Sequence, residues 1–522
     1  MSSSITLRKN VLLIIVDDLR PNIRGGDYGQ AQMLTPNMDA LAEEGIVFTK
    51  AYCQQAICGP TRNSFLSGRR PQRTLAWNFL DHFRTVGPDW ISFPQYFKQH
   101  NYTTLGTGKT FHPGLPPNND EPLSWSQDED YYSAPNAYPD CERWPHSYVC
   151  PTSEPWDVFS DYLNMNRTRE QIFKYANRSN PFFLTFGAHR PHLPFHVPKE
   201  FWDRYGATEN ISLPKHESAP SGMPPIAFTY ECDGKTVVTA LDDEAPIPYP
   251  NASTALPDNM TRTLRRGYYA SVSWTDHLIG ELLRALDEAG VANDTIVALI
   301  GDHGWQLGEH NIWGKHTNFE LGTRVPFMIR VPGTRPFVSD ALVESVDLYP
   351  TIASLAGVGI PADLDGLDLS PLIRRSRTTL KDAVFSEYPR CPTNISTPWD
   401  DSTSCVETPR ERFTAMGYSV RTKDWRYTLW LHWDGAALRG DFSRPAIGVE
   451  LYNHAGDDGR DFDTFENVNL ADDDAYASVR EKLHAIALDH WGGTDRNRSL
   501  PITPRPTEDE SESERDLRLE RW

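Results

Sequence analysis

The sequence predicts an α/β protein: a mostly parallel sheet covered by helices on both faces, followed by a smaller α+β unit. Three observations carry this. Short apolar runs such as Val11–Val16, Phe182–Gly187 and Thr295–Ile300 alternate with helical segments, the order expected of parallel strands joined by crossovers. One such segment, Leu264–Ala289, spaces its apolar residues by three and four (Tyr268, Val272, Leu278, Leu282, Leu286) and closes at Gly290. After about Ser376 the pattern changes to short alternating runs, Ala415–Val420 and Trp425–Trp433, which read as antiparallel strands.

The remaining elements follow in order. Val11–Val16 is a buried strand, and a helix is expected near Pro36–Glu44. A second helix follows Pro60 within Thr61–Ser67, because proline suits a first helical turn. Residues 113 to 160 are dense in Pro, Asp, Tyr and Trp without a period and read as a long ordered loop. A helix over about Asp161–Asn177 leads to the strand at Phe182, and residues 205 to 260 are again irregular. The strand Val325–Val331 and the helix Tyr349–Ala356 complete the larger unit. The smaller unit ends with a helix near Asp473–Leu488. From Pro501 the chain is rich in Glu, Arg and Asp and reads as a mobile tail.

Composition excludes some classes of function. With 522 residues, 39% of them hydrophobic, the chain can bury a sizeable core. The net charge of -20, from 51 basic and 71 acidic residues, disfavours nucleic acid and anionic membranes as partners. No apolar run is long enough to span a bilayer, which needs about 20 residues. No signal peptide is visible: the six apolar residues Val11–Val16 run straight into Asp17-Asp18. Other features point to export. Glycosylation sequons begin at Asn101, Asn166, Asn177, Asn210, Asn251, Asn259, Asn293, Asn394 and Asn497, where ordinary composition gives about three. Two cysteine pairs close in sequence, Cys141 with Cys150 and Cys391 with Cys405, lie in loops that a disulfide would staple. A secreted or lysosome-like compartment is the expectation.

Several polar groups sit where ligands bind in open α/β sheets, just past the carboxyl ends of strands. Asp17 and Asp18 follow the first strand, and adjacent carboxylates repel unless a cation intervenes. Asp302 and His303 follow Thr295–Ile300 in the same way. Oxygen donors favour Ca²⁺ or Mg²⁺, while the histidine would also suit Zn²⁺ or Mn²⁺. Cys58 stands just before the expected helix start at Pro60, where positive partial charge favours an anion, and Arg62 adds a permanent charge one turn on. Lys109 and His112 share a short turn. His189, His192 and His196 follow the strand at Phe182, and Lys315 and His316 lie past Asp302. Each feature has a plain structural reading too: a capping aspartate, a buried or disulfide cysteine, a core histidine. Together, carboxylates for a cation and Arg, Lys and His for an anion suit an enzyme acting on phosphate or sulfate esters.

These residues occur in stretches that resemble the type I sulfatase family of the alkaline-phosphatase superfamily, and within it the iduronate-2-sulfatase branch. The stretches are Asn10–Arg20 (NVLLIIVDDLR), Gln54–Arg62 (QQAICGPTR), Gly68–Pro71 (GRRP), Gly108–Gly114 (GKTFHPG), Pro181–Phe195, Tyr269–Ser273 (YASVS), Asp302–Lys315 (DHGWQLGEHNIWGK) and Met416–Trp430 (MGYSVRTKDWRYTLW). The resemblance implies an alkaline-phosphatase-like sheet. It also implies an active α/β domain over residues 1–375, a C-terminal subdomain over 376–500 that completes the substrate pocket, and a tail over 501–522.

It further implies that Cys58 is oxidised to formylglycine by a formylglycine-generating enzyme and supplies the nucleophile as a hydrated aldehyde. Asp17, Asp18, Asp302 and His303 would hold one Ca²⁺, which also contacts residue 58. Arg62 and Lys109 would hold the hydrated aldehyde and the sulfate, with His112 nearby. His192 and Lys315 would stabilise or protonate the leaving alcohol. The substrate would be a 2-O-sulfated uronic acid at the end of a glycosaminoglycan-like or algal polysaccharide. Thr61 departs from the family's usual serine in Cys-x-Pro-Ser-Arg and puts the efficiency of aldehyde formation in question. His303 replaces a common asparagine, as in the iduronate branch. The alternatives are a phosphoesterase on the same fold and an inactive carbohydrate-binding relative. Trp305, Trp313 and the Trp-rich loop of residues 113 to 160 are candidates for a sugar pocket, with core packing as the plain alternative. Arg390, Arg421 and Lys423 are candidates for binding the sugar carboxylate. With Cys58 modified, Cys53 and Cys232 are either free or bonded to each other.

Overall fold

A computed structural model describes residues 8–126, 131–135, 149–229, 255–392 and 405–492. Its strands begin with β1 (Asn10–Val16), β2 (Ile46–Tyr52), β3 (Thr103–Gly108), β4 (Tyr131–Tyr132), β5 (Val149–Thr152), β6 (Phe182–Ala188), β7 (Phe195–Pro198) and β8 (Thr295–Gly301). They continue with β9 (Gln306–Leu307), β10 (Trp313–Gly314), β11 (Arg324–Arg330), β12 (Phe337–Glu344), β13 (Ala383–Arg390), β14 (Ala415–Thr422), β15 (Trp425–Asp434), β16 (Arg439–Gly440) and β17 (Gly448–Asn453). Eight of them form one sheet in the order β12-β2-β11-β8-β1-β6-β3-β4. Its pairings are parallel except those of β11, which runs against both β2 and β8.

The unbroken apolar run of β1 is explained by its place in this sheet. Leu12, Ile14 and Val16 point into one hydrophobic cluster, and Val11, Leu13 and Ile15 into another on the opposite face. The first cluster is covered by α1 (Pro36–Glu44), α4 (Ser160–Tyr175) and α5 (Asp258–Glu288), the second by α2 (Cys58–Ser67), α3 (Phe93–Gln99) and α6 (Leu348–Leu355). The 31-residue α5 starts after Pro257, six residues before the spacing predicts, because its first turns are polar. The expected core positions Tyr268, Val272, Leu278, Leu282 and Leu286 are all fully buried.

The smaller unit is an antiparallel sheet, β13-β14-β15-β16 with β17 also on β15, backed by α7 (Ala477–Ala487). It meets the larger sheet through buried charges. Glu320, in the short helical turn Glu320–Thr323, accepts from Arg421 Nε at 2.9 Å and Arg426 Nη2 at 2.6 Å, while Arg426 Nε also reaches Glu466 at 2.5 Å. Glu320, His454 and Glu466 lie close enough to suggest a metal group, but the guanidinia already balance those carboxylates.

Some expectations change. Residues 113 to 160 are not one loop: β4, β5 and the turn Trp156–Val158 lie within them. Cys58 is the first residue of α2, with Ile57 as its cap, not a residue ahead of it. Strands β2, β12, β13 and β17 and helix α3 carry no clear period, and only their place in the sheets or core reveals them. The helix near Asp473 splits into a turn, Asp474–Tyr476, and α7. The tail over 501–522 lies outside the described residues.

Candidate active site

The carboxyl ends of β1, β2, β3, β6 and β8 all open onto the same edge of the large sheet, and the register brings their next residues together. Val16 lies beside Ala188 on one side and Gly301 on the other. Asp17 N–H donates to Ala188 O at 3.1 Å, and Asp302 N–H to Val16 O at 3.2 Å. On the next strand Lys109 N–H donates to Gly187 O at 2.8 Å. That approach needs glycine: a Cβ on Gly108 (φ 63°) would lie 2.1 Å from Gly187 O, and one on Gly187 would lie 2.1 Å from the Lys109 carbonyl carbon.

Around these ends the buried polar groups converge. Cys58 Sγ donates to Asp17 Oδ1 at 3.2 Å and lies 3.2 Å from His303 Nε2. Lys315 Nζ reaches Asp18 Oδ1 at 2.8 Å and Cys58 Sγ at 3.4 Å. Lys109 Nζ meets Asp17 Oδ2 at 2.6 Å. Arg62, one turn into α2, donates through Nε to Asp302 Oδ2 at 3.0 Å and is held by the carbonyls of Lys109 and Thr110. Thr61 is buried, and its hydroxyl donates to Asp302 O at 3.1 Å. Asp18 has a positive φ of 56°. It is held there by the Tyr268 hydroxyl on its carbonyl at 2.7 Å and by its own N–H on Asp302 Oδ1 at 3.1 Å.

The charges explain the protonation states. Burial would raise Asp17, but Lys109, His192, Arg62 and Lys315 together hold it well below the usual carboxylate range. Asp302 is pushed up to about 7, first by burial and then by the Asp17 charge. Burial, reinforced by Asp17, holds the Cys58 thiol well above its ordinary value. Burial and then the Lys315 charge keep His303 neutral. His303 Nδ1 sits 2.9 Å from Gly304 O, which assigns the proton to Nδ1 and turns the Nε2 lone pair toward Asp18, at 3.4 Å, and Asp302, at 3.6 Å.

The donor set fits a divalent cation. Asp17, Cys58, Asp302 and His303 each present a ligand atom within 4.8 Å of the others, and so do Asp17, Asp18, Cys58 and His192. Three buried carboxylates and a neutral imidazole in such a space are what a hard cation requires.

The structure separates the three histidines. His192 joins the cluster, whereas His189 Nδ1 pairs with Asp161 at 3.1 Å and His196 sits in β7. His112 lies within reach of the Lys109 and Asp17 charges. Burial and then Lys109 lower its pKa well below the ordinary value. Trp305 is buried with Lys315 Nζ 5.2 Å over its ring, and Trp313 packs into the hydrophobic core. The expected carboxylate binders are engaged elsewhere. Arg421 belongs to the Glu320 pairs, Lys423 is exposed beside Asp340 at 3.3 Å, and buried Arg390 stacks on Trp430 and donates to Ile226 O. Cys391 and Cys405 are disulfide-bonded, while Cys53 is a buried free thiol. Cys141 and Cys232 lie outside the described residues. Tyr268, which fixes the Asp18 carbonyl, was legible in the sequence only as a core position of α5.

The chain is similar to known proteins over most of its length. A family model described as "Sulfatase" matches residues 9–358, and one described as "N-sulphoglucosamine sulphohydrolase, C-terminal" matches residues 308–432. The chain is 34% identical to iduronate 2-sulfatase of Homo sapiens, covering 86% of this chain and 90% of that protein. Among solved structures it is similar to the phosphonate monoester hydrolase SpPMH from Silicibacter pomeroyi, with a TM-score of 0.69 and 22% identity over 92% of this chain and 95% of that one. It is also similar to BT1596, a 2-O GAG sulfatase, with a TM-score of 0.66 and 21% identity over 92% of each chain.

Proposed function

The chain belongs to the sulfatase family, and from that premise we propose that it removes the 2-O-sulfate from a terminal uronic acid of a sulfated polysaccharide. The observation that carries the reading is the convergence of Cys58 with three carboxylates, a neutral histidine and three fixed cations at one sheet edge. The identity with iduronate 2-sulfatase across most of both chains supports the uronate.

Asp17, Asp18, Asp302 and His303 would hold one Ca²⁺, which would draw charge from a sulfate oxygen. Residue 58, once oxidised to formylglycine by a formylglycine-generating enzyme and hydrated, would supply one hydroxyl to attack sulfur and a second to expel sulfate. As a plain thiol it is a poor nucleophile, since burial and Asp17 keep its proton on. Arg62, Lys109 and Lys315 balance the three aspartates, so a divalent ion leaves the pocket positive and ready for an anion although the protein carries -20 overall. Lys109 and Arg62 would hold the attacked group, and Lys315 and His192 would meet the leaving oxygen. Buried where it is, Thr61 replaces the family's serine without losing the hydroxyl contact to Asp302 O.

Two measurements test this. The tryptic peptide covering Cys58 should carry the mass of formylglycine in protein from its native host; an unmodified thiol there refutes the mechanism. A 2-O-sulfated uronate disaccharide should be cleaved well in preference to aryl phosphates and phosphonates; the reverse preference refutes the sulfatase assignment of the site.

The reading extends to export. Asn101, Asn177, Asn210, Asn259 and Asn293 are exposed sequon asparagines, and Cys391–Cys405 is a disulfide. Asn101, Asn177 and Asn293 precede β3, β6 and β8, so glycans there would stand at the sheet edge opposite the pocket. Among the described residues no helix is long and apolar enough to cross a membrane. Peptide mapping after deglycosylation should show these asparagines converted to aspartate.

A further inference from the structure

We propose that Tyr388, on the C-terminal sheet, is a positioning residue for Lys315 and acts through His316. The proposal rests on the reading of Lys315 as the group that meets the leaving oxygen. Lys315 is followed by a residue in an uncommon conformation: His316 has φ 67°, a left-handed region that costs a residue other than glycine some backbone energy. Two contacts hold it there. The His316 N–H donates to Ala56 O at 3.1 Å, in the loop that leads into Cys58. The His316 ring is hydrogen-bonded through Nδ1 to the Tyr388 hydroxyl. Both side chains are buried, and the rings also meet edge to face at 5.8 Å.

Tyr388 is itself held firmly. In β13 it pairs with Gly417 of β14, and the Arg390 guanidinium lies 4.8 Å over its ring. The same strand braces the nucleophile loop. Ser386 Oγ donates to Cys53 O at 2.6 Å, and Glu387 N–H to Gln54 O at 2.8 Å. Two residues past His316, Asn318 Nδ2 donates to Gly417 O at 3.1 Å. One edge of the C-terminal sheet therefore fixes both the loop ending at Cys58 and the turn that aims Lys315. Without the Tyr388 hydroxyl, His316 would lose a contact that orients its ring, and the Lys315 ammonium would be less closely placed between Asp18 and residue 58.

The test uses the full-length enzyme and aryl sulfates of increasing leaving-group basicity, from 4-nitrophenyl to phenyl sulfate. A nitrophenolate departs without help, whereas a phenolate needs a positioned donor. Tyr388→Phe removes one oxygen. It should lower kcat for phenyl sulfate about tenfold, with kcat for 4-nitrophenyl sulfate and both KM values within about twofold of wild type. Lys315→Ala should slow both substrates, and phenyl sulfate by a clearly larger factor than 4-nitrophenyl sulfate. Tyr418→Phe removes a buried hydroxyl elsewhere in the same sheet and should show no such selectivity. If Tyr388→Phe matches wild type, loses both substrates equally, or is matched by Tyr418→Phe, the proposal is overturned while the role of Lys315 stands. If Lys315→Ala itself lacks the selectivity, the reading of Lys315 fails and takes the proposal with it.

Discussion

Lys109 and Asp17 meet at 2.6 Å between Nζ and Oδ2, both buried at the carboxyl edge of the large sheet. After the opposing effect of burial, Lys109 is the largest influence holding Asp17 ionised, and Asp17 in turn raises Lys109. Lys109→Met should therefore leave one carboxylate charge uncompensated and remove a donor from the attacked group. We expect kcat/KM for 4-nitrophenyl sulfate to fall at least about 10²-fold, with the circular dichroism spectrum unchanged. Retention of more than half the activity would show that the pair serves stability alone.

Cys58→Ala should abolish turnover, a loss of about 10³-fold or more, without unfolding the protein. Cys58 is a small side chain at the start of α2, so the melting temperature should move by only a few degrees.

Metal removal should both inactivate and destabilise. Dialysis against EGTA leaves Asp17, Asp18 and Asp302 close together, with Lys109, Lys315 and Arg62 supplying the fixed positive charge. Activity should be lost and then restored by Ca²⁺. Added Ca²⁺ should raise the melting temperature, the folded state gaining about 2.7 kcal/mol at one hundred times the dissociation constant.

The buried ion pairs of Arg426 should set the acid limit of stability. Glu466 is lowered from 4.5 to about 2: burial opposes the shift, and Arg426 and then His454 drive it. A depressed carboxylate contributes stability that is complete above pH 4.5 and is lost as pH falls toward 2. Arg426→Met should cost about 3–5 kcal/mol near neutral pH and flatten that acid limb in urea titrations. An unchanged limb would place the acid sensitivity elsewhere.

Glu387 should act in the opposite sense. Its carboxyl accepts from the Trp77 indole at 2.6 Å and the Trp491 indole at 2.8 Å, and burial pushes it up to about 7 against those donors. The folded state binds this proton more tightly than the unfolded chain. Its contribution is therefore complete below pH 4.5 and lost as pH rises through 7. Glu387→Gln should remove this decline, worth about 3 kcal/mol above pH 7. Equal slopes in the two proteins between pH 4.5 and 7 would refute the assignment.

Much of this protein was legible in its sequence because the signals are local. β1 reads as a strand from its apolar run, α5 from its spacing, and the hairpin of β14 and β15 from alternation. Cys58, Arg62, Asp17, Asp18, Asp302 and His303 read as a site because each follows a strand or starts a helix, and short motifs fix their order. Elements without a period stayed hidden: β2 is buried throughout although it holds Thr49 and Lys50, and that burial comes from neighbours far away in the chain.

Partner choice was not local either. Arg421 and Lys315 both read as cations in sequence, yet one closes an ion pair with Glu320 and the other reaches Asp18 and Cys58. His192 and His189 are three residues apart, and only His192 joins the cluster because Asp161 holds His189. The sequence by itself determined which chemistry is present, since the reactive groups and the strand ends that carry them are written in order. Tertiary structure alone decided which charges meet. A buried charge must find its partner within a few ångströms, and that distance is set by sheet register and subdomain packing.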